Sequence, residues 1–180
     1  MERSPVNLFT GVSLPENMSI LSDQELIERL QRGNLKIDPF REKNLTPNGY
    51  DLTVKEVYFK STGSKVTIGT AYLDPGEWCL VSTEEFLMVS PDVAGQLWLR
   101  TSFLRKGLIG GFGLIDAGFK GNLTVSVTNM GPEKVGLPIG DRLCQVSFHT
   151  LTRKAQKLYD QRSGTYQGQV GITLDGGKRA

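Results

Sequence analysis

The fold is decided by one glycine-punctuated apolar stretch, Gly113-Leu114-Ile115-Asp116-Ala117-Gly118-Phe119-Lys120-Gly121. Runs rich in β-branched and apolar residues flank it at 108–112 and 122–128. Two such runs separated by a glycine-rich segment predict a β-hairpin. The hairpin is unusual because its tip carries a carboxylate, Asp116, among apolar neighbours.

The same pattern continues in both directions along the chain. Turn signals such as Pro47-Asn48-Gly49 and Asp74-Pro75-Gly76 separate further short runs. The predicted strands are Tyr50–Phe59, Lys65–Ile68, Trp78–Ser82, Glu85–Val89, Ala94–Leu99, Leu108–Phe112, Asn122–Thr128, Lys134–Leu137 and Leu143–Thr150. Short strands at such regular spacing predict an all-β jelly-roll or barrel.

One helix precedes the strands. Ser22 and Glu25 form a capping box, Leu21 and Leu26 a hydrophobic staple, and the apolar stripe ends at Gly33, which predicts a helix over 22–32. We therefore expect an irregular N-terminal arm at 1–20 and a β domain with a leading short helix at 21–152. The Gly-, Gln- and Lys-rich residues 153–180 are expected to form a flexible C-terminal arm that a ligand orders.

Composition limits the classes of function. The 180 residues, 38% apolar and 22% charged, suffice for one core, and a net charge of +2 with scattered Lys and Arg argues against a nucleic-acid partner. With no signal or membrane-spanning pattern, a cytoplasmic protein without membrane contact is expected. Cys79 and Cys144 are expected to be buried free thiols, and the single histidine, His149, a strand-surface or half-buried imidazole.

A basic segment follows the strand that ends at Leu99. Residues 100–107 provide two guanidinium groups, an ammonium group and two adjacent hydroxyls. Guanidinium groups bind phosphate oxygens bidentately, and hydroxyls complete such a shell, which favours a phosphate site. A solvated basic turn explains the same residues.

Carboxylates supply the other candidate chemistry. Asp116 can act as a base toward water, or it can cap a tight turn. Asp51 opens a strand and can face solvent or a metal. A triphosphate binds Mg²⁺ through its own oxygens and one or two carboxylates, so no dedicated metal cage is needed.

Taken together and in order, five segments resemble the motifs of the dUTPase and dCTP-deaminase superfamily, and most of all its archaeal dUTPase branch. They are Pro-Asn-Gly-Tyr-Asp-Leu, Arg-Thr-Ser-Phe-Leu-Arg, Gly-Leu-Ile-Asp-Ala-Gly-Phe-Lys-Gly-Asn-Leu-Thr, Gly-Asp-Arg-Leu-Cys-Gln and Thr-Tyr-Gln-Gly-Gln, between about residues 21 and 171. The resemblance implies homotrimers of distorted jelly-roll subunits with active sites shared between chains. The substrate implied is dUTP, cleaved to dUMP and pyrophosphate with Mg²⁺.

The resemblance also implies a role for each matching residue. Asp116 would activate water for attack on the α-phosphorus, Phe119 would stack under the sugar, and Asp51 would be a weaker, water-mediated metal contact. The phosphate-binding residues would be Arg100, Thr101, Ser102, Arg105, Gln145 and Gln169. The base- and sugar-binding residues would be Gly113, Leu114, Ile115, Phe119, Thr124, Val125, Ser126, Tyr159 and Tyr166.

Ser126 decides between the two activities of the superfamily. The deaminases carry a glutamate at this position to move protons during attack on cytosine C4, and a serine hydroxyl titrates too high for that task. The sequence therefore favours dUTP diphosphatase. The alternatives are a dCTP deaminase, alone or bifunctional, with another acid such as Glu133 in that role, and a non-catalytic deoxynucleotide sensor. Thr101 and Thr165 also depart from the usual motifs.

Overall fold

The computed structural model describes residues 19–177. The predicted N-terminal arm therefore lies almost wholly outside the described residues. The first element is the helix α1, Asp23–Gln31, which begins where the Ser22 hydroxyl accepts a hydrogen bond from the Glu25 amide at 3.3 Å. The chain leaves the helix through Gly33, whose φ of 71° is readily adopted only by glycine. Leu26 is fully buried, which confirms the predicted helix and its apolar face.

Fourteen strands are the main regular structure of the described chain. Their bounds are β1 Lys36–Asp38, β2 Leu45–Thr46, β3 Gly49–Phe59, β4 Ser64–Val66, β5 Thr70–Leu73, β6 Trp78–Thr83, β7 Phe86–Met88, β8 Val93–Leu99, β9 Leu108–Gly111, β10 Leu114–Ile115, β11 Lys120–Gly121, β12 Thr124–Asn129, β13 Val135–Pro138 and β14 Arg142–Thr150. Two four-residue α-helices, α2 Thr101–Leu104 and α3 Tyr159–Arg162, and two 3-10 helices, Glu42–Asn44 and Asp175–Gly177, complete the list. The prediction of an all-β fold with one N-terminal helix is confirmed.

The strands form one large curled sheet and two small ones. The large sheet has the order β10-β8-β14-β3-β6-β12-β9, with β2 and β4 paired to β3. The small sheets are β1-β7-β11 and β13-β5. All pairings between these strands are antiparallel, as expected for a distorted jelly-roll.

The core lies against β3 and β14, the central pair of the large sheet. Tyr50 and Phe148 are fully buried there. Gly49 opens β3 where the facing strand comes so close that a Cβ atom would overlap the backbone carbonyl of Val146. The Asn-Gly turn before this strand therefore also meets a packing requirement of the core.

Several short elements were not predicted. The missed strands are β1, β2, β5, β10 and β11, and the missed helices are α2 and α3. None of them exceeds four residues, so none shows a hydrophobic period long enough to detect. Within residues 19–177, no helix is long and apolar enough to cross a membrane. The proposed domain boundaries remain predictions.

Candidate active site

One group of candidate residues surrounds a buried carboxylate at the end of the central strand pair. Asp51 on β3 is 4% exposed, and its Oδ2 atom lies 3.1 Å from Nε of Arg100 and 3.3 Å from Nη1 of Arg142. Burial raises the pKa of the Asp51 carboxyl, and the two guanidinium groups oppose that shift. Each guanidinium also donates to a backbone carbonyl, Arg100 to Arg142 and Arg142 to Lys43.

The other predicted phosphate-binding residues adjoin this carboxylate. Arg100 caps the start of α2, so Thr101, Ser102 and Arg105 follow it on an exposed turn of helix. Gln145 on β14 pairs in register with Asp51, and its Nε2 atom donates to the hydroxyl of Thr46 at 2.6 Å. The structure thus brings five of the six predicted phosphate-binding residues to one end of the sheet. Arg142 belongs with them and was missed, although its place in the Gly-Asp-Arg turn before β14 was visible in the sequence.

Asp51 does not fit a metal ligand. Both arginines contact the same carboxylate oxygen, so their charges already compensate it. Between residues 19 and 177 no three His, Cys, Asp or Glu side chains are grouped so that they can hold a metal ion. The residues present therefore do not form a resident Mg²⁺ site, and the metal contact predicted for Asp51 has no support in this geometry.

A second group of candidate residues lines a cavity of about 220 Å³ beside the hairpin. The predicted residues in its wall are Gly113, Leu114, Ile115, Asp116, Phe119, Thr124, Val125, Tyr159, Tyr166 and Gln169. Gly111, Leu97 and Leu123 complete the wall. The structure therefore gathers the base- and sugar-binding candidates, except Ser126, around one cavity. Gln169, predicted to bind phosphate, lies here and not with the arginines.

Asp116 is the carboxylate in the wall of this hairpin cavity. Its side chain is exposed and has no hydrogen bond or ion pair within the described residues, whereas its backbone carbonyl accepts from the Phe119 amide at 3.1 Å. The turn is thus closed by the backbone and not by the carboxylate. Turn capping does not account for an acid here, which leaves Asp116 available for chemistry.

The C-terminal segment packs over the same cavity. The Tyr159 ring meets Phe119 edge-on, with 5.6 Å between centroids. Tyr159 also accepts a hydrogen bond from the Tyr166 amide through its hydroxyl. Gln167, which was not predicted, donates to the carbonyl of Gly118 at 3.0 Å and accepts from the amide of Lys120 at 2.9 Å. These contacts tie the segment to the hairpin, whereas its predicted flexibility stays a prediction.

Ser126 lines a neighbouring cavity and not the hairpin cavity. It lies on β12 between Leu80 of β6 and Gly111 of β9, in the wall of a neighbouring cavity of about 630 Å³. The substitute acid considered for deamination, Glu133, is exposed in the turn between β12 and β13 and lines neither cavity. Of the residues described, Asp116 is the one acid lining the hairpin cavity.

Within one chain, the arginine group around Asp51 and the residues of the hairpin cavity lie apart. Ile115, next to Asp116, pairs with Gly95 near the start of β8, whereas Arg100 follows the end of that strand. Leu97 on β8 lines the cavity, and three residues of chain, roughly 10 Å at about 3.3 Å per residue, separate it from Arg100. Arg100 therefore does not line the hairpin cavity, and the arginine group forms a separate cluster.

The comparisons with known proteins identify the family. A family model described as dCTP deaminase-like matches residues 20–151. The chain belongs to the dCTP deaminase-like family. This result confirms the resemblance drawn from the five sequence motifs.

Two curated relatives and one solved structure illustrate the membership. A dCTP deaminase of Thermococcus kodakarensis is 38% identical over 150 residues, which cover 82% of this chain and 95% of that protein. A dUMP-forming dCTP deaminase of Methanosphaera stadtmanae is 31% identical over 180 residues, covering 86% and 91%. These relatives are enzymes by name, and an enzyme is what the membership supports for this chain.

The solved structure shows the fold. The 2′-deoxycytidine 5′-triphosphate deaminase of Agrobacterium tumefaciens superposes with a TM-score of 0.63 at 19% identity, over 74% of this chain. The matched part is 49% of that longer chain, so this chain spans about half its length. The likeness confirms the dUTPase-like jelly-roll fold expected from the sequence.

The main prediction of activity, dUTP diphosphatase, is wrong on these findings. The curated relatives are named dCTP deaminases, the activity that ranked second in the sequence analysis. The prediction failed because it gave one position, Ser126, more weight than the remainder of the chain. Similarity along most of the chain is what identifies the family, and it outweighs one position.

Proposed function

We propose that this protein is a dCTP deaminase, which replaces the 4-amino group of the cytosine base by oxygen and releases ammonia. The observation that carries the proposal is the 31–38% identity to proteins named dCTP deaminase, over nine tenths of their length. The hairpin cavity supports it, because apolar walls with a few polar groups are typical of small-molecule sites.

In the proposed mechanism the hairpin holds the nucleoside. The backbone N–H and C=O groups of residues 113–115 bind the edge of the base, and buried Phe119, braced by Tyr159, supports the sugar. Asp116 takes a proton from water as the oxygen adds to C4, and the proton then passes to the 4-amino nitrogen. The C4–N bond breaks and ammonia leaves. The second proton of the water passes from the oxygen on C4 to N3, which gives uracil.

A second copy of the chain supplies the phosphate-binding residues. Arg100, Thr101, Ser102 and Arg105 do not line the hairpin cavity of their own chain, so those of a neighbouring copy would bind the triphosphate. A homotrimer with shared sites is the arrangement we propose. Mg²⁺ would enter with the triphosphate, since the protein residues do not form a resident metal site.

A second candidate is a nucleotide-binding protein without turnover. It is favoured by one observation, the serine at position 126, which leaves β12 without an acid facing either cavity. Under this candidate dCTP binds, no ammonia forms, and Ser126→Glu introduces the missing proton carrier. Measured ammonia release therefore separates the two functions.

The test uses purified protein incubated with dCTP and Mg²⁺, with ammonia and nucleotide products quantified together. Asp116→Asn is expected to lower kcat by about a hundredfold, as losses of a general base commonly do, while the Kd for dCTP changes less than about threefold. Asp160→Asn is the matched control, because Asp160 is exposed on α3 and lines neither cavity. Binding of dCTP without ammonia supports the second candidate, and absence of both contradicts the two proposals.

A further inference from the structure

The hairpin cavity adjoins the neighbouring cavity that contains Ser126. The two share four lining residues, Gly111, Thr124, Tyr166 and Gln169. Gly111 and Ser126 are paired across β9 and β12 at this junction. Because Gly111 has no side chain and Ser126 a short one, no large side chain from these two strands fills the junction.

The walls of this second cavity have a defined chemistry. Trp78, 37% exposed, and the half-buried Leu80 form an apolar side on β6. The Ser126 hydroxyl faces the cavity without a hydrogen-bond partner among the described residues. The chain from Thr173 to Asp175 covers the opposite side, held where the Thr173 amide donates to the Thr124 hydroxyl at 3.1 Å.

An unmodified deoxycytidine does not need this second cavity. The hairpin cavity of about 220 Å³ accommodates little beyond a nucleoside, whereas the second cavity of about 630 Å³ falls in the range of sites that hold whole ligands. If the N3 and N4 edge of cytosine faces the hairpin backbone, C5 is the ring position from which a substituent can extend. C6 is shielded by the sugar on N1.

We infer that the substrates include cytosine deoxynucleoside triphosphates with a small polar group on C5, such as hydroxymethyl, and that the cavity lined by Ser126, Leu80 and Trp78 holds this group. The inference rests on the proposed function and adds a substrate class to it. The hydroxymethyl oxygen meets the Ser126 hydroxyl, while its methylene carbon packs against Leu80.

The test compares binding of dCTP and 5-hydroxymethyl-dCTP, measured in the Asp116→Asn background so that turnover does not consume the ligand. With Leu80 in place, the Kd for 5-hydroxymethyl-dCTP is expected to be no more than about threefold the Kd for dCTP. Leu80→Phe puts a larger side chain beside Ser126, the cross-strand partner of Leu80, and Leu80 does not line the hairpin cavity; the variant is therefore expected to weaken the modified nucleotide by tenfold or more and dCTP by less than threefold.

Ile109→Phe is the matched control. Ile109 pairs with Thr128, so it lies on the same face of the sheet as Ser126, but it lines neither cavity. Tight binding of dCTP with tenfold rejection of 5-hydroxymethyl-dCTP overturns the inference and leaves the proposed function intact. Equal weakening of both nucleotides by Leu80→Phe also overturns it. Failure to bind dCTP at all refutes both the proposed function and the subsite.

Discussion

Replacing the carboxylate of Asp51 by an amide tests whether the arginine group stabilises the fold. The Asp51 side chain is 6% exposed, and those of Arg100 and Arg142 are 28% and 39% exposed. Breaking a fully buried ion pair costs about 3–5 kcal/mol. Both guanidinium groups reach solvent and keep a carbonyl acceptor, so we take about half of this cost for Asp51. We therefore expect Asp51→Asn to lower the free energy of unfolding by about 2 kcal/mol.

Thermal unfolding at fixed protein concentration measures the effect. For a chain of this length, about 2 kcal/mol corresponds to a Tm lower by roughly 4–8 °C. A double-mutant cycle with Arg142→Met isolates the pair, and we expect a coupling of about 1 kcal/mol. A Tm change below about 1 °C, or a coupling near zero, would refute the view that buried Asp51 depends on its arginines.

Three further predictions follow from the same contacts. The bidentate hydrogen bond from Arg41 holds the pKa of Glu84 below its usual value. This carboxylate therefore stabilises the fold above about pH 4.5, and its contribution is lost as the pH falls through the lowered pKa. In urea titrations, the stability difference between wild type and Glu84→Gln should shrink from about pH 5 to pH 3. Burial raises the pKa of the Cys79 thiol to about 12 and raises the pKa of Cys144 as well. Iodoacetamide should therefore label neither thiol in the native protein and both in urea. Rapid labelling of the native protein would contradict the burial. If sites are shared, mixing and refolding Asp116→Asn with Arg105→Ala should restore activity above the sum of the two variants, whereas simple additivity would place the whole site in one chain.

The prediction of dUTP as substrate rested on one side chain, Ser126, and disagreed with the similarity along most of the chain. The role assigned to Ser126 remains a prediction, and Glu133 lines neither cavity of its own chain. The error was to infer a different substrate from that one side chain. Similarity to named dCTP deaminases extends over most of the chain and involves many positions, whereas Ser126 is one.

The sequence by itself determined the fold class, the helix from Ser22 to Gly33, most long strands and nearly all residues of the hairpin cavity. These features depend on local periodicity, turn chemistry and motif order, which are legible in a single chain. Only the tertiary structure showed that two arginines compensate Asp51, that Gln167 ties the C-terminal segment to the hairpin, and that Ser126 faces a second cavity. Such facts depend on which residues distant in sequence become neighbours, and that is set by strand register and packing, which local patterns do not encode.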